Sequence, residues 1–203
     1  HALDRDAVTQ KGNSLERIDL QLLAMVDHAQ EMLEDKGYRV HKEFFLTGFS
    51  ASGTFSNRFT AIHPRRVHAT AAGGVNGLLF MPYETLHGGE LIYPVGVFDF
   101  ESLFGKPFDR EGFCQTPQYL FMGEKDTNDA IPYDDGYDPV SERPLVFDIL
   151  GEEMMPQRWE MCQELYRSAG VNAEAVTYSN TGHAHPAYVK DDVVQFFRTT
   201  MSK

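Results

Sequence analysis

Cysteine is scarce, with only Cys114 and Cys162 among 203 residues. Two thiols exclude a disulfide-dense scaffold, and their spacing leaves open whether they pair or stay apart, and with that the redox compartment. Long apolar runs are also missing. No stretch approaches the ~20 consecutive apolar residues of a membrane span, and the start His1-Ala2-Leu3-Asp4-Arg5-Asp6 lacks both the basic flank and the apolar core of a secretory leader. The chain does not open on Met, so a processed or truncated start is the expectation, and cytoplasmic and secreted locations both stay open. Positive charge is in deficit too. Eighteen Lys and Arg stand against thirty Asp and Glu, a formal charge of −12 with no local basic patch, which argues against nucleic-acid and anionic-lipid partners.

Metal and phosphate motifs are equally absent. His1, His28, His41, His63, His68 and His87 are scattered without zinc-ligand spacing, and neither a phosphate loop nor a dinucleotide fingerprint occurs, so no cofactor is expected. The string Asp134-Asp135-Gly136-Tyr137-Asp138 reads as a solvated loop, with cation binding the weaker alternative. What remains is ordinary globular composition, 42% hydrophobic and 24% charged, at a length that fits one domain of ~100–200 residues.

Hydrophobic periodicity orders that domain. Residues 13–36 predict a helix, with Leu15, Ile18, Leu22, Met25, Val26, Ala29, Met32 and Leu33 on one stripe, a capping-box-like Asn13/Glu16 start and Gly37 as the stop. A short strand is predicted at 44–48, a helix at 51–62 ended by Pro64, and a strand over 67–72. Residues 75–116 lose the period and read as an insertion or lid, with a hairpin expected around 93–100. A strand follows at 118–122, then a long acidic loop over 124–153 with a short helix near 140–150, a helix from Pro156 to about Ala169, a strand over 173–178 and a closing helix over 188–199. Strands alternating with helices predict an α/β fold with a mostly parallel sheet flanked by helices, its ligands beyond the carboxyl ends of the strands.

Three strand ends carry the chemistry. Gly48-Phe49-Ser50-Ala51-Ser52-Gly53 joins a predicted strand to a predicted helix, and a serine on so tight a turn needs small residues two positions away on each side, here Gly48 and Ser52. Ser52 is the poorer nucleophile candidate, because the bulky Thr54 would flank it. The Ala51 N–H, at the first helical turn, is placed to donate to an oxyanion. A hydroxyl nucleophile needs a base and an orienting acid. Asp126 follows the Gln118–Met122 strand, with Asp129 as the alternative; His183 follows the 173–178 strand, favoured over His185 because Gly182-His183 is expected to make the projecting turn.

These motifs, Gly48-Phe49-Ser50-Ala51-Ser52, Gly123-Glu124-Lys125-Asp126 and Gly182-His183, resemble the α/β-hydrolase superfamily over most of the chain. The run from Leu46 to Gly53, with Asn57 downstream, looks like the polyhydroxybutyrate-depolymerase and feruloyl-esterase-like group. The resemblance implies a carboxylic-ester hydrolase acting on a small or polymeric ester, with Ser50 as nucleophile, His183 as base, Asp126 as orienting acid and residues 75–116 as a lid or substrate-facing insertion; its aromatics Phe80, Tyr83, Tyr93, Phe98 and Phe100 would suit an apolar or aromatic group, with packing of a core as the alternative. It also implies about eight strands where four are predicted, so an N-terminal segment or a second chain is expected to complete the sheet. A prolyl-oligopeptidase-type peptidase and a catalytically silent binding domain are the alternatives.

Overall fold

The computed structural model describes residues 3–133 and 137–201. Four strands form one parallel sheet in the order β1-β2-β5-β6: β1 is Phe44–Phe49, β2 Val67–Gly73, β5 Gln118–Gly123 and β6 Ala173–Tyr178. The two inner strands are nearly continuous apolar or small runs and are buried along almost their whole length, as a sheet covered on both faces requires. The outer strands β1 and β6 are only partly buried, and Phe45 on the β1 edge is exposed.

Successive side chains of β5 divide the core in two. Leu120 and Met122 join the larger cluster, which holds Phe59 and Ile62 of helix α3 (Ala51–Ile62) and Trp159, Cys162 and Tyr166 of helix α7 (Trp159–Ala169). Tyr119 and Phe121 face the other way and pack with Val189 and Val193 of helix α8 (Ala187–Met201). Burial raises the Cys162 thiol to about 12, and neither Cys162 nor Cys114 is bonded to another sulfur.

Several predicted boundaries move. Helix α2 is Ile18–Asp35 rather than 13–36, because Arg17 adopts a left-handed conformation at φ 46° and interrupts the run. Asn13 and Glu16 close a separate turn, Oδ1 of Asn13 accepting from the Leu15 N–H at 2.8 Å and the Glu16 carboxylate from the Gly12 N–H at 2.6 Å. The apolar stripe of α2 is only half used. Ile18, Leu22 and Leu23 pack against the core, whereas Met25, Met32 and Leu33 are exposed. Helix α7 begins at Trp159, after an irregular turn at Met154–Arg158 in which Met155 is extended ahead of Pro156. The loop helix α6 is Glu142–Leu150.

Residues 75–116 correct two further expectations. The hairpin is β3 (Thr85–Leu86) with β4 (Gly89–Glu90), where His87 and Gly88 both take the positive φ of a two-residue turn. Around 93–100 the chain instead buries Tyr93, Val95 and Val97 and enters the short helix α4 (Phe100–Phe104). Phe80, Tyr93 and Phe100 are therefore core side chains, not substrate-facing ones, and Phe98 stays exposed. Short helices α1 (Arg5–Thr9) and α5 (Arg110–Gln115) complete the chain. Among the described residues no helix is long and apolar enough to cross a membrane.

Candidate active site

The turn after β1 is built by close backbone approach. Ser50 sits at φ 62°, ψ −132°, a conformation costly for a residue with a side chain. Its N–H donates to the Gly73 carbonyl at 2.9 Å, and its own carbonyl accepts from Gly53 at 2.8 Å and Thr54 at 3.0 Å, so the strained residue is held from both sides. A Cβ on Gly48 would lie 2.0 Å from the Ser52 carbonyl oxygen, so this position admits glycine alone. Ser52 is occupied. Its hydroxyl donates to the Phe49 carbonyl at 2.7 Å and faces the Phe49 N–H at 3.0 Å. Among the described residues the Ser50 hydroxyl and the Ala51 N–H make no hydrogen bond.

The acid and the imidazole come from neighbouring strand ends. The loops after β5 and β6 are joined by the Glu124 N–H on the Tyr178 carbonyl (3.0 Å), the Lys125 N–H on the Thr181 carbonyl (2.8 Å) and the Glu124 carboxylate on the Asn180 N–H (2.7 Å). Those contacts bring His183 Nδ1 to 2.8 Å from Oδ2 of Asp126, whose other oxygen accepts the Asn128 N–H at 2.9 Å. Asp126 is buried, while His183 is partly accessible. With a carboxylate facing Nδ1, the ring proton belongs on Nδ1, and the lone pair of the neutral ring lies on Nε2. The left-handed residue of this loop is Asn180 at φ 57°, not Gly182.

Ser50 and His183 both face the end of β2. Gly73 receives the Ser50 N–H, and a Cβ on Gly74 would lie 2.9 Å from His183 Cε1. The ring of Phe49, the residue before Ser50, stands 4.7 Å from that of His183.

The alternatives sit elsewhere. Asp129 forms an ion pair with the inaccessible Arg158 at 3.0 Å, and Arg158 also donates to the carbonyls of Asn76, Gly151 and Glu152. His185 stacks on Phe49 at 5.4 Å with an interplanar angle of 19°; its Nε2 is buried without a hydrogen-bond partner among the described residues, and burial pulls its pKa down. Of the acidic string, Asp134, Asp135 and Gly136 lie outside the described residues. Asp138 is engaged by the Val140 and Ser141 N–H groups and the Ser141 hydroxyl. Among the described residues no group of three or more His, Cys, Asp or Glu side chains is gathered as a metal site. Sequence reasoning missed Asn128, whose side-chain amide lies 3.3 Å from His183 Nε2, and the contact made by Gly74. A Gly-Gly pair ending a strand was the available signal for Gly74; for Asn128 there was none.

A parallel sheet flanked by helices, with a strand-to-helix turn of this kind at Ser50, defines the α/β-hydrolase fold, here with only part of the usual sheet. Poly(aspartic acid) hydrolase-1 from Sphingomonas sp. KT-1 is similar in structure, with TM-score 0.60 and 18% identity over 91% of this chain and 67% of that one. SOBER1 from Arabidopsis thaliana (TM-score 0.48, 14% identity, 90% of this chain) and esterase PE8 (0.41, 16%, 95%) are more distant. The chain spans 64% of the length of SOBER1 and 67% of that of esterase PE8. No protein-family model matches the sequence, and no curated protein matches it significantly.

Proposed function

We propose that the protein is a serine hydrolase of carboxylic esters. One observation carries the reading: the backbone at Ser50 is held in a strained conformation, and the ring of the preceding Phe49 lies 4.7 Å from that of His183, whose Nδ1 is 2.8 Å from Asp126. Ser50 Oγ attacks the acyl carbon while its proton passes to His183 Nε2. The tetrahedral oxyanion faces the Ala51 N–H, where the positive end of α3 favours negative charge. As the C–O bond breaks, His183 returns the proton to the leaving alkoxide, leaving an acyl-Ser50. Water, losing its proton to the same nitrogen, attacks the acyl carbon; as the bond to Ser50 Oγ breaks, His183 returns that proton to Oγ, and the acid leaves with the Ser50 hydroxyl restored. Asp126 holds the Nδ1–H and stabilises the imidazolium.

The sequence resemblance around Ser50 favours esters over amides. Polypeptide pairing with the free edge of β1, either a preceding segment or a second chain, belongs to the same proposal. So does a lid role for residues 75–116, with its accessible side chains Tyr83 and Phe98 rather than the buried aromatics toward the substrate. The test is labelling by a fluorophosphonate, comparing the protein with S50A and S52A. Loss in S50A with retention in S52A is the expected result. Absence of labelling in the unaltered protein, with any preceding residues present, would favour a silent binding domain; turnover of peptide but not ester substrates would favour a peptidase.

A further inference from the structure

We propose that Asn128 is a positioning residue that occupies His183 Nε2 in the resting state and sets how readily that nitrogen turns to the Ser50 hydroxyl, an inference that rests on the serine-hydrolase reading. Two separate contacts come from this one residue. Its backbone N–H, 2.9 Å from Asp126 Oδ1, closes a short turn that any side chain at 128 would permit. Its side-chain amide, 3.3 Å from His183 Nε2, is independent of that turn and meets the one ring atom the proposed reaction needs free.

The polarity of the contact follows from the other side of the ring. Nδ1 faces a carboxylate and carries the proton, so Nε2 is an acceptor, and the group at 3.3 Å is the donating NH2 of the amide. A donor on Nε2 stabilises the neutral ring and competes with Ser50 Oγ–H for the same lone pair. The Ser50 hydroxyl makes no hydrogen bond among the described residues, so in the resting state the contact on that lone pair is the one from Asn128. Asn128 is exposed, so its side chain can be exchanged with little effect on packing.

The test compares the protein with N128A and N128D by two readouts. In the long-range 1H–15N spectrum of histidine-labelled protein, the His183 Nε2 resonance is expected to move in N128A, which removes the donor. Fluorophosphonate labelling of Ser50 should quicken about five-fold in N128A, the worth of one ordinary hydrogen bond. N128D, which keeps the shape and the backbone turn but offers only acceptors, also removes the donor and should move the same resonance. An unmoved Nε2 resonance in N128A overturns the inference, as does N128A labelling at or below the original rate. If Ser50 labels in none of the proteins, the serine-hydrolase reading fails, while the resonance still decides whether Asn128 holds Nε2.

Discussion

His183 Nδ1 and Asp126 Oδ2 lie 2.8 Å apart although 57 residues separate them in the chain. Parallel pairing of β5 with β6 is responsible, because it aligns Gly123 with Tyr178 and starts both loops at one level. Replacing Asp126 by Asn preserves the shape and an acceptor for the Asn128 N–H, but lets the amide drive the ring into the other tautomer. Ester turnover and fluorophosphonate labelling should fall by about 10³–10⁴ in D126N. D129N should differ in kind. It leaves the inaccessible Arg158 guanidinium without its carboxylate, so a loss of about 3 kcal/mol in urea unfolding is expected. Full labelling in D126N would remove Asp126 from the proposed relay.

Gly74 tests how closely the site is fitted. It combines φ +61° with a Cβ position 2.9 Å from both His183 Cε1 and Phe49 Cε2, so G74A strains the backbone and pushes on the imidazole together. G88A is the control, having φ +84° and open space around its Cβ. Both should lose about 1–2 kcal/mol of unfolding free energy from the left-handed backbone. Only G74A should also lose turnover, by about 10²-fold, the cost expected for a misplaced reacting group of this kind. Equal activity in the two variants would show that His183 tolerates displacement.

The sheet and the helix after Ser50 were legible because each depends on a local signal. The strands at 67–73 and 118–123 are short apolar runs closed by glycine, and α3 carries Phe55, Phe59 and Ile62 at helical spacing. The relation of Asp126 to His183 was legible from the same source, since parallel strands of similar length carry their following loops to one edge. Tertiary choices were not. Arg17 leaves the helical region and turns its guanidinium to Asp19, at 2.9 and 2.7 Å, a preference no periodicity encodes. Asn57, read only as part of a motif, accepts from the Phe80 N–H at 2.8 Å and donates to the Tyr166 hydroxyl at 3.0 Å. It thereby ties residues 75–116 to α3 and α7. The aromatics of that segment lack a period because an irregular chain, rather than a regular element, carries them into the core.

Asp19 and His63 make stability depend on acidity. Asp19 is fully buried; burial alone would raise its pKa, but hydrogen bonds from Arg17 and from His63 at 2.7 Å hold it well below the usual carboxylate range. For His63 burial is the larger influence and outweighs the pull of Asp19, with Lys106 and Arg17 nearby adding to the depression. Both folded-state values thus lie below the unfolded ones, so both groups stabilise the fold at neutral pH and lose that contribution on acidification. The losses separate in pH. The His63 contribution declines from about pH 6.5 downward and the Asp19 contribution from about pH 4 downward, near their unfolded values. H63Q keeps a donor toward Asp19 but cannot titrate. Urea unfolding at about pH 7.5 and about pH 5 should therefore show a smaller loss of stability in H63Q than in the unaltered protein, with the remainder carried in part by His185, which burial also depresses. Below about pH 4 the two proteins should decline in parallel, because Asp19 is present in both. An H63Q protein whose stability falls as steeply between the two higher values would mean that His63 gains its proton as readily in the folded chain as in the unfolded one.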